Sequence, residues 1–246
     1  MEPIYRQTFA ISDIHLDCFR RLKPSVLLYF AQEVAGNHAA LLGTDWQTLN
    51  KKHLFWAVIR HRVEISRMPQ AGQTITVETW PMPTTRVAYP RATAAYDEEG
   101  NLLFRTTALW VLMDTENRTM VLPGKSGVHV EGIVRGCELE APGSVLPKEL
   151  PNSVMRQVTY AELDQNLHMN NTRYMDWVDA LLPSDFHREH PMRQITVCYL
   201  SEAREGQQLC MDWELTEDGL LHVEAHRIRT DVSGKKDRVF AAVIRF

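Results

Sequence analysis

Runs of strand-forming residues, and the order in which they come, constrain the fold of this chain more than any other feature. Between residues 53 and 122, four runs are rich in β-branched and aromatic residues, and turn signals such as Gln70-Ala71-Gly72 and Glu98-Glu99-Gly100-Asn101 separate them. Such runs are typical of antiparallel strands joined as hairpins. Four more runs follow between residues 193 and 246. In order, the eight are FWAVIRHRVEIS, QTITVETWPM, RVAYPRATAAYD, LLFRTTALWVLMD, RQITVCYLSEA, QQLCMDWEL, LLHVEAHRIRTD and RVFAAVIRF.

Each set of four runs is preceded by one further strand and one apolar helix. In the first half, residues 4–12 predict a strand, and Pro24 opens a long apolar segment that ends at Gly43. Proline in the first turn and glycine just past the last are typical helix boundaries. In the second half, residues 153–162 predict the strand and residues 169–182 the helix, which Pro183 stops. The apolar positions recur at helical spacing in both: Val26, Leu27, Phe30 and Val34, then Tyr174, Trp177, Val178 and Leu181.

The repeated order predicts an α+β fold built from two similar halves. A long, curved antiparallel sheet that wraps one helix buries the helix on several sides, and this is the architecture of the hotdog fold, here in tandem. We expect an N-terminal hotdog at 1–123, a connector at 124–151 and a C-terminal hotdog at 152–246. The connector is rich in glycine and proline. Hotdog units normally pair, so the tandem would be a dimer within one chain, and a homodimer of whole chains is left open.

Composition excludes several classes of function. The formal net charge of −4 over 246 residues provides no basic field for nucleic acid. No window approaches the roughly 20 apolar residues of a membrane span, and no signal-like pattern opens the sequence. The cysteines form no C-x-x-C pair, so we expect reduced thiols in the cytoplasm and neither metal nor cofactor. The four cysteines are Cys18, Cys137, Cys198 and Cys210.

A dense polar cluster lies immediately before the second predicted helix. Asp164, Asn166 and His168 alternate along the chain, and Asn170 and Asn171 follow. One such side chain would suffice to cap a helix, and capping alone is the simplest interpretation. In an extended segment, however, alternating residues point the same way. The cluster would then lie at the start of a buried helix, where free N–H groups favour a developing negative charge.

The stretch LDQNLHMNNTRYMDWV resembles the L-D-x-N-x-H-x-N-N-x-x-Y signature of the acyl-acyl-carrier-protein (acyl-ACP) thioesterases, which are double-hotdog enzymes. A second stretch, ITVCYLSEAREG, resembles a later strand of that family, which carries a Glu-Cys pair in plant members. Glu202 matches the glutamate, but Ala203 stands where the cysteine would be. The resemblance covers nearly the whole chain. If this chain is active, catalysis does not require a cysteine nucleophile at position 203.

The resemblance implies hydrolysis of fatty acyl thioesters to free acid and carrier thiol, which terminates fatty acid synthesis. We expect Glu202 to activate water, with a pKa raised by burial late in an apolar strand. The alternative interpretation of Glu202 is a structural one, in which its carboxylate is a charge that faces solvent at the end of a strand. The Asn166 amide and helix-start N–H groups would bind the thioester oxygen, and His168 would orient the water or protonate the leaving sulfur. Asp164 would orient His168 or Asn166, and its direct attack through a mixed anhydride stays open.

The implied partner is acyl-carrier protein bearing a fatty acyl phosphopantetheine thioester. The first half would supply the acyl-chain pocket. Its corresponding segment, residues 13–26, would be non-catalytic, because Asp13, His15 and Asp17 alternate there but no Asn pair follows. Phe30, Trp56 or Trp80 could set chain length there, although plain core residues are the simpler interpretation. Local basic residues could steer an acidic carrier, or could be only a solvated face. These are Arg20, Arg21, Lys23, Lys51, Lys52, Arg60 and Arg62.

Other functions fit parts of the same pattern. An acyl-CoA thioesterase would use the same chemistry with another carrier. A hotdog hydroxyacyl dehydratase would yield an enoyl product instead of a free acid. A non-catalytic acyl-binding module would retain fatty acid and release no thiol. His187 and His190 could suggest a metal, but two histidines without a third ligand are more typical of a surface.

Overall fold

A computed structural model of the chain describes residues 2–228 and 237–246. It divides into two units, one ending at Pro142 and the other spanning Gly143–Phe246. The division falls inside the segment 124–151 that the sequence marks as a connector. No helix in the part of the chain that the model describes is both long and apolar enough to cross a membrane.

The first unit consists of six strands and three α-helices. A short 3-10 helix, Asp13–His15, precedes the first of these α-helices. The elements are β1 (Tyr5–Ala10), α1 (Pro24–Leu41), α2 (Trp46–Asn50), β2 (Leu54–Ile65), β3 (Thr74–Pro81), β4 (Tyr89–Tyr96), β5 (Leu102–Asp114), β6 (Met120–Val121) and α3 (Pro123–Ser126). The strands lie in the order β1-β3-β4-β5-β2, with β6 on β5, and every pair is antiparallel.

Helix α1 begins and ends where the sequence predicts. Pro24 occupies the first turn, and Gly43, just past the end, has a φ of +66°. This left-handed conformation is the one that glycine adopts without steric cost. Phe30 is buried and stacks on Phe9 of β1, with ring centroids 4.2 Å apart. The helix therefore packs through its apolar residues onto the strands of its own unit.

The second unit repeats this order with a shorter helix. It contains β7 (Asn152–Gln157), a 3-10 helix (Tyr160–Glu162), α4 (Arg173–Asp179), α5 (Ser184–Glu189), β8 (Gln194–Tyr199), β9 (Gln208–Leu215), β10 (Leu220–Arg227) and β11 (Asp237–Arg245). The strand order β8-β11-β10-β9-β7 matches that of the first unit. The predicted order of strand, helix and four strands is therefore confirmed in both units. The end of the predicted strand LLHVEAHRIRTD, residues 229–231, lies outside the described residues.

The helix predicted over 169–182 is wrong at its boundaries. Helix α4 begins only at Arg173, because Asn170 Oδ1 accepts the backbone N–H of Thr172 at 2.9 Å and its hydroxyl at 2.8 Å. The predicted core face is present nevertheless. Tyr174 and Val178 are buried, and the Tyr174 ring lies 4.6 Å from that of Phe240 on β11. Helix α5 was not predicted at all.

Two of the aromatic residues considered for chain length belong to the core. Phe30 and Trp80 are each 1% exposed. Trp56 is half-buried, donates from its indole N–H to the carbonyl of Thr44 at 2.8 Å and meets the Tyr89 ring edge-on at 4.9 Å. These contacts are those of packed structural residues.

Candidate active site

The segment 164–168 is a tight turn, so the prediction that it is extended is wrong. The N–H of Asp164 donates to the carbonyl of His168 at 2.8 Å, and that of Leu167 donates to the carbonyl of Asp164 at 3.0 Å. Leu167 has a φ of +61°, in the left-handed region that bulky residues rarely adopt. Asp164, Asn166 and His168 are therefore placed by the turn and not by alternation along a strand.

The Asp164 carboxylate holds the turn from inside. Its Oδ1 accepts the backbone N–H of Asn166 at 2.8 Å and that of His168 at 3.4 Å. Short carboxylates commonly bond to the main chain two residues on, which stabilises a turn of this kind. Asp164 thus acts on Asn166 and His168 through their main chain.

His168 and Glu202 are brought together across the second unit. His168 Nε2 lies 2.9 Å from Glu202 Oε2, within hydrogen-bonding distance. The His168 side chain is 9% exposed and that of Glu202 31% exposed. A nearly buried imidazole beside a carboxylate that solvent reaches can exchange a proton with a water molecule at the carboxylate.

The prediction that Glu202 belongs to an apolar strand is wrong. Strand β8 ends at Tyr199, and Glu202 lies in the loop that follows it. Cys198, within β8, is 1% exposed, whereas Leu200, past the end of the strand, is 44% exposed. The carboxylate is therefore less buried than expected, and Arg204 Nη2 lies 3.6 Å from its Oε2.

Arg227, which the sequence did not single out, fixes the loop that carries Glu202. Its guanidinium donates to the Glu202 carbonyl, to Ser201 Oγ at 3.0 Å and to Gln207 Oε1 at 3.2 Å, and it pairs with Asp237 at 3.0 Å. Ala203 is fully buried, and its carbonyl accepts the N–H of Met169 at 2.8 Å. These bonds join the Glu202 loop to the His168 turn.

Two backbone N–H groups at the start of α4, where the sequence predicts donors for an oxyanion, are already engaged. Asn170 Oδ1 takes the N–H of Thr172, and the Asn170 carbonyl takes the N–H of Arg173 at 2.9 Å. Asn170 thus secures the helix start, and the carbonyl of Asn171 accepts the Tyr199 hydroxyl at 3.1 Å. Burial raises the pKa of both Tyr174 and Tyr199, so these hydroxyls stay protonated beneath the turn.

The first unit contains the same turn without the same chemistry. Asp17 Oδ1 accepts the N–H groups of Phe19 at 2.8 Å and Arg21 at 2.9 Å, and Arg20 has a φ of +64°. Superimposing the two hydrogen-bond patterns pairs Asp17 with Asp164, Phe19 with Asn166 and Arg21 with His168. The turn lies within the segment 13–26 that the sequence indicates as the counterpart, whereas Asp13 and His15 belong to the preceding 3-10 helix.

The same correspondence extends to the second loop. Leu22 N–H donates to the Pro69 carbonyl at 2.8 Å, just as Met169 N–H donates to that of Ala203. Met68 therefore occupies the position of Glu202. The pair His168–Glu202 is replaced by Arg21 and Met68, which cannot act as a base together. The contact between a histidine and a glutamate at this place in the fold is therefore found in the second unit and not at the equivalent positions of the first.

His187 and His190 do not form a metal site with each other. His187 Nε2 lies 2.9 Å from the Asp179 carbonyl, and the His190 ring stacks on Phe186 at 4.3 Å. Within residues 2–228 and 237–246, converging metal-ligating atoms occur only at Cys210, Asp212 and His226. The sequence did not point to this group.

Comparison with known proteins places the chain in a family. The acyl-ACP thioesterase N-terminal domain matches residues 2–122, and the acyl-ACP thioesterase C-terminal domain matches residues 148–242. An oleoyl-acyl-carrier-protein thioesterase of Arabidopsis thaliana is 26% identical over 223 residues, which cover 82% of this chain and 61% of the relative. A dodecanoyl-acyl-carrier-protein hydrolase of Umbellularia californica is 28% identical over 215 residues, with 81% and 56% covered. The chain thus spans little more than half the length of such relatives.

Solved structures show the same fold. A crystal structure of an acyl-ACP thioesterase from Bacteroides thetaiotaomicron superimposes with a TM-score of 0.88 at 24% identity, over 99% of this chain and 98% of the other. The 12:0-ACP thioesterase of Umbellularia californica gives 0.83 at 23% identity, over 100% and 97%. The tandem hotdog expected from the sequence is therefore confirmed. With both domain models matched along nearly the whole sequence, the chain belongs to the acyl-ACP thioesterase family.

Proposed function

We propose that the chain hydrolyses fatty acyl thioesters carried on acyl-carrier protein to free fatty acid and carrier thiol, and so terminates fatty acid synthesis. The observation that carries the proposal is the 2.9 Å contact between His168 and Glu202 in the unit that matches the family's C-terminal domain. Hydrolysis needs a positioned water, a base and a donor for the oxyanion. The turn and the loop supply candidates for each.

Glu202 takes the proton of the attacking water. The water oxygen bonds to the thioester carbon, and the carbonyl oxygen becomes an oxyanion that the Asn166 amide stabilises. Collapse of this intermediate breaks the C–S bond. His168, within reach of the same carboxylate, returns the proton to the departing thiolate. No cofactor enters this sequence of steps.

Asp164 acts as a positioning residue in this account. Its Oδ1 already accepts two backbone N–H groups of the turn. The equivalent Asp17 does the same in the unit that lacks a His–Glu pair. These bonds favour an orienting role over nucleophilic attack through an anhydride.

Acyl-carrier protein is the partner that the family implies, and exposed lysines of the first unit are candidates for steering it. Arg21 pairs with Asp17 at 3.1 Å and Arg62 with Glu64 at 3.3 Å, so their charges are partly neutralised. Lys51 and Lys52 are exposed. Replacing both by Gln is expected to weaken the fall of kcat/KM with salt for carrier-linked substrates. Lys125→Gln, also exposed, is the matched control.

We place the protein in the cytoplasm, where all four cysteines would stay reduced. The cysteines are free in the structure. The tandem of two hotdog units would serve as the pair that single hotdogs form between chains. Sedimentation velocity distinguishes this arrangement from a homodimer of whole chains.

Thiol release from a graded panel of acyl-ACP and acyl-CoA substrates tests the proposed reaction, with mass analysis of the acyl product. We expect free acid, released faster from the carrier protein than from CoA. Faster release from CoA would identify an acyl-CoA thioesterase, and an enoyl product a dehydratase. Retained fatty acid without thiol release would identify a binding module.

The assigned residues are tested in the same assay. Asn166→Ala, His168→Ala and Glu202→Gln should each lower turnover by about 100-fold or more if they act in the transition state. Glu205→Gln is the matched control, because Glu205 is an exposed acid in the same loop. Rates near that of the unmodified protein in all three variants would refute the assignment.

A further inference from the structure

Three potential metal ligands share the polar face of strands β9 and β10. In the strand register, His226 lies opposite Cys210, and Glu224 lies opposite Asp212. Residues on this face alternate with fully buried apolar residues such as Leu209 and Met211, which point to the other side. Asp212 is 8% exposed, and Cys210 and His226 are half-buried. The ligating atoms of the three lie within 4.8 Å of one another.

The separations fit a small tetrahedral ion. Cys210 Sγ lies 3.5 Å from Asp212 Oδ1, and His226 Nδ1 lies 3.5 Å from Asp212 Oδ2. Zinc bonds of about 2.3 Å to sulfur and about 2.0–2.1 Å to nitrogen or oxygen, at tetrahedral angles, put such atoms about 3.4–3.6 Å apart. The two distances end on different oxygens of Asp212, and one ligand atom from each residue lies within 4.8 Å of the others. Side-chain movements of about 1 Å would therefore close the three ligands on one ion.

The imidazole nitrogen of His226 is buried and could be satisfied by a metal ion. Within the part of the chain that the structure describes, the buried His226 Nδ1 has no hydrogen-bond partner. A buried polar nitrogen without a partner costs free energy. Metal coordination would satisfy it, and the two negative charges of a thiolate and a carboxylate would balance a divalent cation.

The nearby cation Arg238 is engaged elsewhere. Arg238 Nε lies 2.7 Å from Glu224 Oε2, and its Nη2 donates to the carbonyl of Val145 at 3.2 Å. Glu224 is 4% exposed, so this pair is held in place. The guanidinium charge is therefore offset by Glu224.

The first unit neutralises the equivalent acid differently. Matching the hairpins pairs Asp212 with Glu78 and Cys210 with Thr76. Glu78 accepts from Arg6 at 2.5 Å and from Arg135 at 2.6 Å. Arg6 is the register partner of Glu78, and the corresponding partner of Asp212 is Ser153. Arg6, which pairs with Glu78 in the first unit, is thus replaced in the second unit by Ser153. The acid there, Asp212, instead lies near Cys210 and His226.

We propose that Cys210, Asp212 and His226 bind one Zn²⁺ ion, with the fourth position open to water. The ion would link the neighbouring strands β9 and β10 in the unit that carries His168 and Glu202. It has no part in the proposed hydrolysis. Soft thiolate and imidazole ligands favour zinc over magnesium or calcium, which prefer oxygen.

Titration of the purified, metal-free chain with Co²⁺, a spectroscopic substitute for Zn²⁺, tests the site. We expect one equivalent of Co²⁺ to produce a thiolate charge-transfer band and tetrahedral visible bands, which Zn²⁺ then displaces. Cys210→Ser should abolish the charge-transfer band, and His226→Gln should weaken Co²⁺ binding by at least about 100-fold. The matched controls are Cys18→Ser and His222→Gln, because Cys18 is exposed and His222 lies on the same strand.

A titration of the unmodified chain can overturn the proposal even if a variant fails to fold. Absence of any cobalt spectrum, or a spectrum that Cys210→Ser leaves unchanged, would mean that the three residues form only a polar cross-strand cluster. A thermal melt provides a second readout that does not depend on the spectrum. Zn²⁺ should raise the melting temperature of the chain and of the control variants but not that of His226→Gln, and a rise common to all would contradict the site.

Discussion

The two matched turns allow the role of Asp164 to be separated from its effect on stability. Asp164→Ala removes one good hydrogen bond, at 2.8 Å, and one long contact, at 3.4 Å. Asp17→Ala removes two good bonds, at 2.8 and 2.9 Å, and the ion pair with Arg21 at 3.1 Å. A net hydrogen bond to a charged group is worth about 1.5–3 kcal/mol, and a contact at 3.4 Å lies beyond the usual range.

From these contacts we expect Asp164→Ala to lower the free energy of unfolding by about 2 kcal/mol. Asp17→Ala should cost somewhat more, about 3 kcal/mol, because it loses two good bonds and a partly exposed ion pair. The two variants should differ sharply in turnover. Displacing the His168 turn by even about 1 Å should lower kcat about 100-fold, whereas the Asp17 turn carries no reacting group.

The assay combines urea unfolding with hydrolysis of a small acyl thioester, which removes any effect on carrier docking. Turnover is measured well below the urea concentration at which either variant unfolds. Normal turnover in Asp164→Ala would refute the positioning role. An equal loss of turnover in Asp17→Ala would show that the effect arises from stability and not from position.

Two further predictions concern the first unit. Burial lowers the pKa of His61 from 6.5 to about 4, so the folded chain keeps this histidine neutral while the unfolded chain protonates it as the pH falls below 6.5. Its contribution to stability is therefore complete above pH 6.5 and is lost towards pH 4, by about 3 kcal/mol in all. Urea unfolding of His61→Gln should show a correspondingly weaker fall over this range, and an identical pH profile would contradict it. Gly132→Ala should lower the free energy of unfolding by about 1–3 kcal/mol, because the added Cβ would lie 2.2 Å from the Met82 carbonyl group. Gly143→Ala, which meets nothing within 4 Å, is the control for that measurement, and equal melting temperatures would refute the argument.

Much of the fold could be predicted because its signals are local. The hairpin strands of both units follow from β-branched runs and glycine turns, and α1 follows from Pro24, Gly43 and the spacing between them. The repeat of the same order in each half then predicted the tandem. Each of these signals depends on residues within a few positions of one another.

The local geometry of the site could not be predicted in the same way. The turn at 164–168 depends on main-chain bonds to one carboxylate and on the left-handed conformation of Leu167. A leucine does not indicate that conformation, because bulky residues rarely adopt it. Helix α4 begins late for a similar reason, since Asn170 takes up the preceding N–H. A signal was present but unused: Asp17 and Arg20 in the first half hold the same turn.

Contacts between distant strands were also beyond the reach of sequence reasoning. In the sequence, nothing distinguishes Arg227 from other strand residues, and its contact with the Glu202 loop is visible only in the folded chain. Cys210 and His226 face each other only because β9 and β10 pair in one register, and a shift by one residue would separate them. The pairing of His168 with Glu202 was expected from family resemblance and not from spacing.

The central claim is that His168 and Glu202 act as one catalytic unit, and a double-mutant cycle on kcat/KM with an acyl-ACP substrate tests it most directly. The account predicts that His168→Ala and Glu202→Gln each lower kcat/KM by about 100-fold or more, and that the double variant is little worse than the poorer single one. Losses that multiply in the double variant would mean that the two residues act independently, and an unimpaired Glu202→Gln would contradict the account outright.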